Sequence, residues 1–112
     1  MGNAEISRDM EMVIMNLIVG AGSAKSFAME AIRQAKEGSF KEAEESLGNA
    51  GDDIAKAHHT QTDLIQRAAK GEAIEISLFM VHAQDHLMTA MLAKDLAAEI
   101  VELYKRQHDA KG

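Results

Sequence analysis

Residues Glu75 to Leu96 read EISLFMVHAQDHLMTAMLAKDL. The apolar residues Leu78, Val81, Met88, Leu92 and Leu96 recur in steps of three and four once position 85 is counted. That is the spacing of a packed helical seam, and it predicts one long helix. One seam position is wrong for a core: Asp85 stands between Val81 and Met88. His82 lies three residues earlier on the shoulder of the same face, and His86 follows one turn after it. A carboxylate on a buried seam is costly unless it is protonated, paired or bound to a cation. The misfit marks this stretch as the candidate functional region.

Upstream, Met10, Val13, Leu17, Ala21, Ala24, Ala28, Ala31 and Ala35 recur at helical spacing, with Ile14, Ile18 and Ile32 widening the stripe. A first helix is expected from Ile6 to Glu37, after a frayed Met1 to Glu5. Gly20 and Gly22 inside it predict a kink or a close helix contact, or else room for a phosphate or a partner. Gly38 is expected to end this helix in a left-handed conformation. Ser39 and Glu42 then form a capping box that starts the next. Phe40, Ala43, Leu47, Ala50, Ile54, Ala57, Gln61, Leu64 and Ala68 make a heptad stripe whose polar interruption is Gln61, with His58 and His59 beside it. Lys70-Gly71 ends the second helix. The third is expected from Glu72 and Ala73 to Lys105, leaving a loose tail from Arg106 to Gly112.

The expected fold is a single all-α domain over residues 1–112, an antiparallel up-down-up bundle of three helices of about 30 residues, each about 45 Å long. The third helix is apolar on several sides, since Phe79, Met80, Leu87, Met91, Ile100, Val101 and Tyr104 lie off the seam. A bundle of three would leave one flank of it open. A homo-oligomer with the third helices at its centre follows, and there Asp85 meets its symmetry copies.

The chain has 112 residues, 18 acidic and 12 basic side chains, and a formal net charge of −6. That balance excludes a nucleic-acid groove. There is no cysteine, hence no disulfide framework and no zinc-thiolate site. No apolar run is read as long enough to cross a bilayer, and no signal pattern opens the chain, so a cytoplasmic location is expected. Met1-Gly2 opens like a myristoylation start, but Ile6 stands where Ser or Thr is required.

Three chemistries suit His82, Asp85 and His86. A neutral imidazole is a nucleophile that can carry a phosphoryl group on a ring nitrogen and titrates near neutral pH. His82 and His86 at i, i+4 could share a metal with Asp85, although Asp85 and His86 point about 100° apart around the helix. Asp85 alone, converging with its copies near a symmetry axis, would share protons or bind a hard divalent ion. A helical bundle without chemistry, in which Asp85 only sets register, is a further reading.

Val81-His82-Ala83-Gln84-Asp85-His86-Leu87-Met88 resembles the signature of the lactose/cellobiose (N,N'-diacetylchitobiose) type of enzyme IIA, a component of the bacterial sugar phosphotransferase system. Ser23-Ala24-Lys25-Ser26-Phe27-Ala28 with Ala35-Lys36-Glu37-Gly38 is similar to that family's first helix and turn. Ala57-His58 with Gln61-Thr62 is similar to its second helix. The resemblance covers nearly the whole chain.

It implies a homotrimer, a nine-helix coiled-coil-like assembly. It implies a phosphocarrier in which His82 accepts a phosphoryl group from phospho-HPr and passes it to enzyme IIB, a separate polypeptide. Enzyme IIB then phosphorylates a disaccharide entering through enzyme IIC, the only link to the membrane. Cellobiose or a related β-glucoside is the expected sugar, with lactose and chitobiose as alternatives. The resemblance also implies a structural Mg²⁺ held by the Asp85 copies on the threefold axis. Gln84 and His86 belong to the motif without an assigned role. His58 and Gln61 are expected to approach His82 from the second helix. The alternative is a non-catalytic metal-binding or oligomerisation bundle.

Overall fold

A computed structural model describes the backbone from Gly2 to Lys111 and side chains from Arg8 onward. Its three helices are α1 (Gly2–Lys36), α2 (Phe40–Ala69) and α3 (Leu78–Lys111), in a bundle measuring 66 × 21 × 19 Å. Among the described residues there is no strand. Met1 of the expected frayed tail lies outside the described residues, and α1 begins ahead of the expected Ile6.

The α1 stripe faces inward as its period requires. Met10, Ile14, Leu17, Ala21, Ala24, Ala28, Ala31 and Ala35 are all buried, and Val13, Ile18 and Ile32 are half-buried beside them. α1 packs along both partners, whereas α2 and α3 meet over a much shorter length. The small residues set how closely the helices approach. A Cβ added to Gly20 would stand 3.5 Å from the Ala57 Cβ on α2. The helix runs unbroken through Gly20 and Gly22, so close contact and not a break accounts for these glycines. Contrary to the sequence reading, Arg8–Lys36 does contain a window long and apolar enough to span a membrane, with mean hydropathy 1.4. In the fold its alanine line is what α2 and α3 cover.

Both connections use the same left-handed glycine. Gly38 has φ 83° and Gly71 has φ 95°. The Ser39 N–H donates to the Gln34 carbonyl at 2.8 Å and the Gly38 N–H to Ala35 at 3.0 Å. Glu72 and Gly71 repeat this with Arg67 and Ala68. These paired bonds satisfy the last carbonyls of each helix. The expected capping box does not form: the Ser39 side chain makes no capping hydrogen bond.

The start of α3 differs from expectation by six residues. Glu72 is held by Arg67 of α2, with the Arg67 Nε donating to it at 2.5 Å. The chain then runs without helix to Ser77, whose hydroxyl accepts the Met80 N–H at 3.1 Å. Ser77 is therefore the N-cap, because its side chain satisfies a donor that has no carbonyl partner in the first turn. At the other end, helix continues through the segment read as a loose tail, to Lys111. Phe40 packs edge-on to His108 there, with ring centroids 5.4 Å apart.

α3 carries two apolar faces, and the one inside the chain is not the seam that the sequence reading places at the centre of an oligomer. Its buried line is Met80, Ala83, Leu87, Ala90, Ala97 and Val101. The seam read from sequence faces out: Leu78 is 80% exposed, Leu92 60%, and Val81, Met88 and Leu96 52% each.

Candidate functional site

The motif occupies the first turns of α3, and helical geometry distributes its side chains in four directions. Ala83 and Leu87 point into the core and are fully buried. Asp85 sits on the outward apolar stripe and is exposed. It forms no ion pair among the described residues, unlike Arg67, Lys105 or Arg106 with their carboxylates. His82 and His86 lie on the flank between these faces.

His82 is exposed, and its ring stacks on that of His86 with centroids 5.3 Å apart and planes 23° from parallel. His86 is half-buried against α1. Its Nδ1 lies 3.3 Å from the Lys25 Nζ. Gly22 lies opposite Nε2, and a Cβ added there would come to 3.8 Å. Burial, the Lys25 ammonium and neighbouring His82 hold the His86 imidazole below its ordinary pKa, with Asp85 pulling weakly the other way. The site thus keeps a neutral ring behind an accessible one.

Gln84 points to the other flank, toward α2. Its side-chain carbonyl accepts a hydrogen bond from Gln61 Nε2 at 2.6 Å. Gln61, 9% exposed, also reaches the Met88 sulfur at 3.6 Å, and Gln84 Nε2 reaches the Met80 sulfur at 3.5 Å. The polar interruption of the α2 stripe is thus answered by the motif glutamine, which leaves neither amide without a partner.

Of the residues expected near His82 from α2, Gln61 meets the motif only through Gln84 and Met88. His58 does not join it. His58 is exposed and lines a groove with Met91, Lys94 and Asp95, further along α3. Nor do His82, Asp85 and His86 form a shared metal site: no three His, Cys, Asp or Glu side chains gather to hold an ion among the described residues.

Sequence reasoning passed over Lys25. The signal was available, since Lys25 is the sole charged residue between Met12 and Met29. It also passed over the polar contacts that tie α1 to α2. The Ser23 hydroxyl donates to Asp53 at 2.5 Å, and the Ser46 hydroxyl donates to Gln34 at 2.7 Å.

Comparison with known proteins bears on what this arrangement does. Residues 12–105 match the model of the family described as the lactose/cellobiose-specific IIA subunit of the phosphotransferase system. The lichenan-specific phosphotransferase enzyme IIA component of Bacillus subtilis (strain 168) is 50% identical, over 96% of this chain and 97% of its own. The crystal structure of the cellobiose-specific enzyme IIA from Bacillus anthracis superposes with a TM-score of 0.87 at 51% identity, covering 91% of this chain and 93% of that one. The IIA(Chitobiose) of Escherichia coli, solved as a complex with HPr, gives a TM-score of 0.75 at 41% identity, covering 88% and 95%. The chain belongs to the lactose/cellobiose-specific IIA family of the phosphotransferase system, and as such it carries a phosphoryl group in sugar transport.

Proposed function

We propose that His82 is the residue that carries the phosphoryl group, accepting it from phospho-HPr and passing it to enzyme IIB. The observation that carries this reading is the exposure of His82 on the flank of α3, while its neighbour His86 is drawn against α1. A carrier hands its group from one protein to another, so the reacting nitrogen must be reachable from outside at both steps. A neutral imidazole supplies a lone pair for in-line attack, and the resulting phosphohistidine is in turn attacked by the next acceptor. The complex of HPr with the Escherichia coli relative supports HPr as donor. Among relatives at 50% identity or above, those specific for lichenan and cellobiose support a β-glucoside such as cellobiose as the sugar, beside one specific for galactose.

The assembly is a homotrimer with the α3 helices at its centre. Soluble monomers rarely leave so long an apolar stripe uncovered, and Leu78, Val81, Met88, Leu92 and Leu96 form one. Closing three copies on this stripe brings three Asp85 carboxylates together. Their repulsion is relieved by a hard divalent ion such as Mg²⁺, for which carboxylate oxygens are the suited donors. Asp85 fits that role, being exposed on the stripe and unpaired among the described residues. The ion's part is structural charge balance.

The test is mass spectrometry after mixing the protein with phosphoenolpyruvate, enzyme I and HPr, beside a His82→Gln control. One acid-labile phosphoryl per chain, absent in the control, is expected. No mass shift with active upstream proteins would sink the assignment. Under native conditions the same sample should show three chains and one ion, with the ion lost in Asp85→Leu.

A further inference from the structure

The geometry points to Lys25 as a positioning residue for phosphoryl carriage: it fixes His86 in the Nε2-protonated tautomer, so that the ring stacked on His82 offers an N–H donor to the phosphoryl group. This rests on His82 being the acceptor. The first step is chemical. An ammonium has three donors and no acceptor. Its 3.3 Å approach to the His86 Nδ1 is a hydrogen bond only if that nitrogen presents its lone pair. A neutral imidazole with a bare Nδ1 carries its hydrogen on Nε2.

The second step is spatial. The His82 and His86 rings stack with centroids 5.3 Å apart, so a group carried on the His82 ring stands within reach of the His86 ring. The oxygens of a phosphoryl group are strong acceptors. Facing them with an N–H stabilises the loaded state, whereas the opposite tautomer would face them with a lone pair. Gly22 keeps the Nε2 edge clear, because a Cβ there would already come to 3.8 Å from Nε2 and a longer side chain would cover it. The third step is placement. Lys25 is the sole charge in an otherwise uncharged stretch from Met12 to Met29, and it stands on α1 opposite a residue 61 positions away. Exposed lysines on such a helix have no reason to reach inward. This one is half-buried and ends on a ring nitrogen.

The experiment combines histidine ¹⁵N NMR of the full chain with phosphoryl-transfer kinetics from phosphorylated HPr, with His86→Gln assigning the ring signals. In the wild-type protein His86 should show a protonated Nε2 and a bare, hydrogen-bonded Nδ1. Lys25→Met should lose this preference and slow transfer about tenfold, while still loading one phosphoryl per chain at completion and keeping its helical circular dichroism. Lys25→Arg should recover most of both. An Nδ1-protonated ring in the wild type, or a Lys25→Met chain that transfers at the wild-type rate, overturns the proposal. If His82→Gln still accepts a phosphoryl group, the carrier assignment fails and takes the donor role with it. If only the tautomer is wrong, His82 stands and Lys25 does not.

Discussion

The two apolar faces of α3 share one helix and one period but not one environment. The inner face, Met80, Ala83, Leu87, Ala90, Ala97 and Val101, closes against α1 with three alanines among its six residues. The outer face, Leu78, Val81, Met88, Leu92 and Leu96, consists of larger side chains that stay more than half exposed in the single chain. Small residues let helices approach closely in the inner layer. Large ones make a surface suited to burial against something else. The motif's polar residues sit on the boundary: His82 and His86 flank the two faces, and Asp85 interrupts the outer one.

This contrast can be broken from either side, and the outer face should give the larger response. Leu92→Asp puts a charge in the middle of the stripe, and if three copies meet there the assembly should fall apart to monomers by sedimentation. An unchanged sedimentation coefficient would show that the outer face is not the interface. Leu87→Ala acts on the inner face. Leu87 is fully buried, so its truncation should cost about 2–5 kcal/mol in urea or thermal unfolding, with little change in the contacts between subunits. A cost below about 1 kcal/mol would mean that the inner layer collapses around the cavity.

The smallest effect tests the clasp between Arg67 and Glu72 at the end of α2. Hydrogen bonding to the Arg67 side chain holds the Glu72 carboxyl below its usual range. Its contribution is complete above the ordinary carboxylate pKa and is lost as pH falls through the lowered folded value. The unfolding midpoint should therefore fall slightly on acidification, and Glu72→Gln should flatten that part of the profile. An identical acid limb in the variant would show that the clasp does not contribute. The pair lies at the surface, so the change should be modest.

The inner and outer faces also separate what could be read in advance. The α1 line from Met10 to Ala35 was legible because its alternatives are polar or larger, so only one face could turn inward. On α3 the reading picked out the outer seam and, off it, Met80, Leu87 and Val101, but not the alanines that complete the chain's own core line. Large aliphatic residues weigh more in any hydropathy pattern than Ala83, Ala90 and Ala97, yet it is the small residues that a close helix contact selects. The start of α3 was misplaced because helix propensity favours Glu72 and Ala73, while the Arg67 clasp and the Ser77 cap override it. The site was legible as a motif and not as an arrangement. His82, Gln84, Asp85 and His86 stand within five residues, but the partners of two of them come from other helices.

The sequence by itself determined that the chain makes three long helices and that the first two end at Gly38 and Gly71. Those depend on neighbours within a turn or two, through hydrogen-bond period and the left-handed freedom of glycine. Only the tertiary structure decided which face of α3 turns inward, and that Lys25 meets His86 while Gln61 meets Gln84. Periodicity shows that a face exists but not toward what it points, and a contact 61 residues apart is set only when the helices have packed.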